Sequence, residues 1–222
     1  MRAHANTPLL NLAALAQASR AEGVLAGFEL QEFPRDYLLC TPESARDQVF
    51  IVRSGRLRVY LAGENRELSL SFLEPGDIYT THTPTYVETV APTQLWVMDT
   101  KSFARKLACD PGATPVMMRV LGRLLSNAVN LIEDLAFREV PTRLARFLLG
   151  LAARRGQAVD RGCLIPLDLG MEDIASLLGS TRQTVSALIN QWEREGILQR
   201  QGRRSLLILS LPALEQRSAP PL

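Results

Sequence analysis

Arg182, Gln183, Thr184, Ser186 and Asn190 fall within one short segment that Ser180 and Thr181 introduce, and each ends in a group that makes hydrogen bonds. A guanidinium grips guanine O6 and N7 as a fork, an amide pairs with adenine N6 and N7, and a hydroxyl serves either a base or a phosphate. That is the chemistry of reading base edges in a major groove. It requires a helix whose other side is buried, and Val185, Leu188, Ile189 and Trp192 supply that side at helical spacing. Just upstream, Ile174, Ala175, Leu177 and Leu178 form the apolar side of another helix. Glu172 and Asp173 occupy its first turn, where carboxylates complement the partial positive charge of a helix start. Gly179 permits the bend between the two, and Ser180 or Thr181 caps the second. The stretch from Leu169 to Leu198, LGMEDIASLLGSTRQTVSALINQWEREGIL, therefore predicts a helix-turn-helix. An ordinary helical hairpin with a polar face is the alternative.

The residues that follow favour DNA. In QRQGRRSLLILS, Gly202 marks a tight turn between short apolar runs, with Arg200, Arg203 and Arg204 clustered around it. A wing of this kind contacts phosphates and positions a protein without specifying sequence. From Val140 to the end there are eleven Arg and no Lys against seven acidic residues, a net of +4, whereas the rest of the chain is at −2. Positive charge is thus concentrated where the reading helix lies.

The chain of 222 residues is long enough for two modest domains, and 46% hydrophobic with 22% charged residues is a globular composition. It contains no run of 18 apolar residues, and MRAHANTPLLNLAALAQASR lacks a signal-peptide core, so a cytoplasmic protein with no membrane partner is expected. Cys40, Cys109 and Cys163 are too scattered for a disulfide framework or a metal-ligand set, and buried free thiols are expected.

Upstream, short runs rich in branched and aromatic residues, VFIVR (49–53), RLRVYL (56–61), ELSLSF (67–72), YVETV (86–90) and QLWVM (94–98), are separated by turn residues at Ser54-Gly55, Gly63-Glu64-Asn65 and Pro75-Gly76-Asp77. This spacing predicts a small antiparallel roll. Between the two regions, from about Pro115 to Phe137, Met118, Leu121, Leu125, Ala128, Ile132 and Leu135 recur at alternating steps of three and four, the seam of a coiled coil. A lone helix with such a seam needs either a second copy of itself or its own roll, and a twofold dimer would also place two reading helices on two half-sites. Pro141 marks a hinge into a further helix, whose Leu144, Phe147 and Leu148 face a core.

The order of roll, long helix, hinge and winged helix-turn-helix resembles the CRP/FNR family of bacterial transcription regulators over nearly the whole chain. It implies an α+β fold with a cupin-like jelly roll at 1–112, a dimerisation helix at 113–138 and a winged helix-turn-helix at 139–222. Family members that bind cyclic nucleotides hold the phosphate with an arginine, and GDIYTTHTPTYVETVAPTQ, Gly76 to Gln94, contains none. The N-terminal cysteine cluster of the iron-sulfur branch is also missing. The resemblance is greatest to the family's haem-containing carbon monoxide sensors. It is carried by GRLRVYLAGENRELSLSFLEPGDIYTTHT (55–83) in the roll, VLGRLLSNAVNLIEDLAF (120–137) in the dimer helix and TRQTVSALIN (181–190) in the reading helix.

That resemblance implies an activator that binds haem b, carbon monoxide and double-stranded promoter DNA as a homodimer and engages RNA polymerase. It makes His82 the proximal iron ligand, with Asp47 where relatives use an amide to hold the histidine. Opposite the histidine, relatives place an N-terminal amine from the partner subunit, which carbon monoxide displaces. The Met1 amine and His4 are the two candidates here. Met117, Met118, Leu121, Gly122 and Leu125 would line the effector pocket. Thr80 stands where relatives carry the thiolate that ligates ferric iron, so redox-linked ligand exchange does not follow. Two alternatives stay open. One is a haem regulator of the same architecture tuned to nitric oxide or redox state. The other is a cupin-like metalloenzyme fused to a DNA-binding domain, although the roll offers a single histidine.

Overall fold

The computed structural model describes residues 25–44, 47–64, 67–109, 113–202 and 204–219, without the side chains at 113–117, 119, 120, 123 and 124. Contacts divide the chain into two compact units. One holds the described residues up to Ser126 except 67–69, and the other holds those together with 127–222.

The first unit is built on an antiparallel roll of β1 (Glu29–Phe33), β2 (Leu38–Cys40), β3 (Gln48–Ser54), β4 (Leu57–Ala62), β5 (Glu67–Leu73, whose first three residues group with the other unit), β6 (Ile78–Thr80), β7 (Tyr86–Thr89) and β8 (Thr93–Asp99). The strands form two sheets, β1-β8-β3-β6 and β2-β7-β4-β5. Phe50 and Val52 of β3 meet Leu57, Val59 and Val87 of the other sheet in a core between them. On the opposite face Ile51 packs with Phe28 and Met98, and Phe103 closes over them. A strand covered on both faces loses the polar-apolar alternation, which is why Val49 to Val52 is an unbroken apolar run. The five strands expected from the sequence are present; β1, β2 and β6 are additional. Two of those are three residues long, and β1, with Glu29, Gln31 and Glu32, carries almost no apolar pattern.

The roll is followed by α1 (Thr100–Ala108), a helix that the sequence pattern does not signal. Asp99 caps it, accepting from Ser102 N at 2.8 Å, and the hydrogen bonds from Ser102 hold its carboxyl below the usual range. Cys109 ends this helix in an exposed position and Cys163 is partly exposed, so of the three cysteines only Cys40, packed between the sheets, is the buried thiol expected of all. The long helix α2 runs Ala113–Phe137, close to the span its seam predicts.

In the second unit, α3 (Val140–Arg155), β9 (Gln157–Val159), β10 (Gly162–Pro166), α4 (Met171–Leu177), α5 (Arg182–Arg194), β11 (Leu198–Arg200), β12 (Ser205–Ile208) and α6 (Leu211–Ser218) enclose one core. Leu144 and Leu148 of α3 reach it with Ile174, Val185, Ile189 and Trp192, while Phe147 and Leu188 are only partly buried. Between α2 and α3 the chain turns at Arg138 and Glu139. Asp134 accepts from Arg138 Nη1 at 2.8 Å and lies 3.2 Å from Arg146 Nε, and Arg143 Nη1 donates to the Arg138 carbonyl at 2.8 Å. Burial lowers the pKa of Arg143, and the carboxylate of Asp134 opposes that shift.

Gly179, at φ +57, makes the bend between α4 and α5. An alanine there must hold a left-handed conformation, at a cost of roughly 1–2 kcal/mol. Denaturant unfolding of Gly179→Ala is expected to show that loss, with the melting temperature of the second unit lowered.

Candidate functional sites

At the reading helix, Thr181 is the cap rather than Ser180: its hydroxyl accepts from Thr184 N at 3.2 Å and lies 2.9 Å from the Thr184 hydroxyl. With Val185, Ile189 and Trp192 buried beneath it, α5 turns Arg182, Gln183, Thr184 and Asn190 outward, and Ser186 is half-buried. A cleft of about 390 Å³ is lined by Glu172, Thr181, Arg182, Gln183 and Ser186. Four polar residues expected to contact DNA are thereby brought together, and Glu172, for which spacing predicts only a helix-start role, joins them. Arg182 and Gln183 make no side-chain hydrogen bond or ion pair among the described residues, so both are available to a ligand.

The wing differs from expectation in one respect. Its β11 and β12 pair antiparallel around Gly202, which adopts φ +69 as a tight turn requires. Arg200, however, is not presented for phosphate contact. Its guanidinium pairs with Glu193 and donates to Asn190 Oδ1 at 2.7 Å, and Glu193 also accepts from the Arg200 backbone at 2.7 Å. The physical reason is that Glu193 and Asn190 share the flank of α5 that faces β11, which sequence spacing alone does not disclose. Asn190, a candidate base reader, is engaged in the same contact. Arg204 is exposed, and Arg203 lies outside the described residues.

On the roll, the turn after β6 carries His82. Pairing of β3 with β6 sets Val49 opposite Thr80, and beyond it the Thr81 backbone donates to the Gln48 carbonyl at 3.0 Å. The Thr81 hydroxyl in turn accepts from Gln48 N at 3.0 Å. The next residue on each strand then meets its counterpart, and His82 Nε2 lies 2.9 Å from Asp47 Oδ1. Both side chains are about half exposed, at 56% and 48%. The far side of the turn is held by hydroxyls: Thr83 Oγ1 donates to Tyr79 Oη at 2.8 Å, and Tyr79 Oη lies 3.1 Å from Thr85 Oγ1. Burial raises the Tyr79 pKa, so the phenol keeps its proton for this network. Thr80 Oγ1 accepts from the His82 backbone at 3.4 Å.

The arrangement suits a metal-bound imidazole. A ligating histidine is ordinarily oriented by an acceptor on its second nitrogen, and a carboxylate in that place makes the ring a stronger donor. Among the described residues the other nitrogen of His82 has no hydrogen-bond partner. No group of three or more His, Cys, Asp or Glu suited to a metal occurs among the described residues, and His82 is the one histidine of the roll sequence. Met1 and His4, the candidates for that position, lie outside the described residues.

On α2, Met118, Leu121, Leu125, Val129 and Ile132 are all more than half exposed, Leu125 at 67%. A side chain placed at Gly122 would meet nothing within 4 Å. The backbone of Met117 belongs to the same helix, and its side chain lies outside the described part of the structure. These seam side chains are therefore largely open to solvent in the single chain. Among the described residues no helix is long and apolar enough to cross a membrane.

Comparison with known proteins agrees with this architecture. Residues 142–217 match a Crp-like helix-turn-helix domain, and residues 30–110 match a cyclic nucleotide-binding domain. A mutant of CooA from Carboxydothermus hydrogenoformans is 38% identical, with 94% of this chain and 96% of that one covered, at a TM-score of 0.88. The reduced CO-sensing protein from R. rubrum is 34% identical, covering 95% of this chain and 100% of that one at a TM-score of 0.54. A CRP-like cAMP-activated global transcriptional regulator from Mycobacterium tuberculosis is 29% identical over 199 residues, 84% of this chain and 87% of the relative. These are regulators that bind DNA and not enzymes. With its roll, exposed helical seam and winged reading helix, the chain belongs to the CRP/FNR family of transcription regulators and is similar within it to CooA.

Proposed function

We propose that this protein is a carbon monoxide-sensing, haem-dependent transcriptional activator that acts as a homodimer on promoter DNA in the cytoplasm. The observation that carries the reading is the contact of 2.9 Å between His82 and Asp47, in a chain 38% identical to a CooA. His82 would hold the iron of haem b, and Asp47 accepts the imidazole proton, fixing the tautomer and the plane of the ring. When bound, haem would supply a ferrous iron able to bind carbon monoxide. The Met1 amine or the imidazole of His4 would be the second protein group to hold the iron and would be released when carbon monoxide binds. The released tail leaves a small apolar surface of Met117, Met118, Leu121 and Leu125, with Gly122 admitting close approach, which suits a neutral diatomic that makes few hydrogen bonds.

The exposed seam of α2 pairs with its copy in the partner subunit. A shift of one helix against the other is passed through the Phe137 to Pro141 joint to the reading helices. Arg182, Gln183, Thr184 and Ser186 then face base edges or phosphates with Ser180 and Thr181, and Arg203 and Arg204 contact the backbone. Because effector and DNA favour the same state, each raises affinity for the other.

A cyclic nucleotide, the effector of the mycobacterial relative, finds less support. No arginine lies between Gly76 and Gln94, and nearby Arg56 and Arg58 pair with Glu74 and Glu88 at 2.9 and 3.1 Å. A second gas or redox reading draws on Thr80, which has no thiolate to offer and is occupied with the His82 backbone.

Absorption spectra test the reading directly. Reduced, haem-loaded protein is expected to give a six-coordinate spectrum that converts to a carbonyl adduct, and His82→Ala to lose or alter it; wild-type protein that takes up no haem would refute it. In Asp47→Asn the imidazole becomes a weaker donor, so the iron reduction potential measured by spectroelectrochemistry should rise. Leu125→Glu puts a charge into the seam of α2 and should convert the dimer to monomer in sedimentation experiments while leaving the fold intact.

A further inference from the structure

Glu172 stands among the DNA-reading residues with the wrong charge for phosphate. It is exposed, lines the same cleft as Thr181, Arg182, Gln183 and Ser186, and has no hydrogen-bond or ion-pair partner among the described residues. The start of α4 does not need its carboxylate as a cap, because Asp173 Oδ2 already accepts from Gly170 N at 2.9 Å. A duplex carries one negative charge per roughly 1.7 Å of axis, and the first helix of a helix-turn-helix crosses that backbone. A carboxylate in its first turn therefore opposes every duplex, whatever the sequence. The opposition is appreciable because few cations balance it. Arg182 and Arg204 have no side-chain partner among the described residues, whereas Arg200 is committed to Glu193 and Asn190.

We propose that Glu172 is an electrostatic brake on sequence-independent DNA binding. Its charge subtracts from the phosphate attraction that all duplexes share and leaves the contacts of α5 with base edges to decide where the protein stays. Specificity is a difference of affinities, and weakening the common contribution enlarges the share carried by base contacts. The inference rests on DNA binding by the family's helix-turn-helix and is independent of what the roll binds.

The test titrates full-length protein, Glu172→Gln and Glu172→Asp with a random-sequence duplex of about 30 base pairs, by fluorescence anisotropy, between about 50 and 200 mM salt. Glu172→Gln is expected to bind about three- to tenfold tighter at the low-salt end. Its plot of log affinity against log salt should steepen by up to about one unit. Glu172→Asp should stay near wild type. A gain of this kind cannot arise from misfolding. If Glu172→Gln melts without cooperativity, Glu172→Ala takes its place in the same titration. A neutral variant that melts like wild type but binds random duplex no tighter overturns the proposal, as does an Asp variant that gains as much as the Gln variant. If the neutral variant loses affinity only for sequences that wild type selects from a random pool, Glu172 reads a base and the brake is also overturned.

Discussion

The pairing of β3 with β6 is the constraint on which the His82 site of the roll depends. It sets Thr80 opposite Val49, Tyr79 opposite Phe50 and Ile78 opposite Ile51, and so delivers His82 to Asp47 from far along the chain. A slip of one residue would turn every side chain of β6 to the other face of the sheet. Two features guard against that slip: Phe50 and Tyr79, whose rings pack 5.9 Å apart, and the double engagement of Thr81 with the Gln48 backbone. The hydrophobic core of the roll thus sets the register that aims the imidazole.

The reading end is organised by charge on a buried scaffold. Val185, Ile189 and Trp192 anchor α5 firmly enough that its polar side has a defined direction. Which of the surrounding charges remain available is decided by neighbours: Arg200 is neutralised by Glu193, Arg217 pairs with Glu195, and Arg155 pairs with Asp168 at 2.8 Å. A net positive count for this half of the chain therefore overstates the charge offered to DNA. Among the described residues, the reading cleft holds the unpaired guanidinium of Arg182 beside the unpaired carboxylate of Glu172, a balance that favours contacts with particular groups over general attraction to phosphate.

The joint between α2 and α3 carries a further balance. Arg138, Arg143 and Arg146 gather around Asp134, with Glu133 accepting from Arg138 at 2.7 Å. The buried Nε atoms of Arg138 and Arg143 have no hydrogen-bond partner, whereas that of Arg146 is in ion-pair contact with Asp134. Ion pairs that leave buried donors unsatisfied hold a geometry without stabilising it strongly, since desolvation offsets much of the attraction. Such a joint gives the connection between α2 and α3 a defined shape.

Much of this is legible in the residues themselves. Helical and alternating periodicities are local, and so α2, α4, α5, five strands of the roll and the glycine turns at 179 and 202 can be recognised from residue order alone. Such patterns arise because each element must bury one face whatever its neighbours are. The elements without a clear signal, β1, β2, β6 and α1, are short or marginally patterned and owe their form to the strands beside them. Pairing across the chain is equally hidden. Composition and spacing do not say that Arg200 folds back on Glu193, that Cys109 is exposed, or that Met118, Leu121, Leu125 and Ile132 of α2 are open to solvent. Resemblance to relatives singles out Asp47 and His82, but their distance of 2.9 Å follows from sheet register. Sequence by itself determined which faces are apolar and which side chains carry chemistry. Only tertiary structure decided which of those side chains meet, because contact between distant residues depends on how the elements pack and not on the order in which they occur.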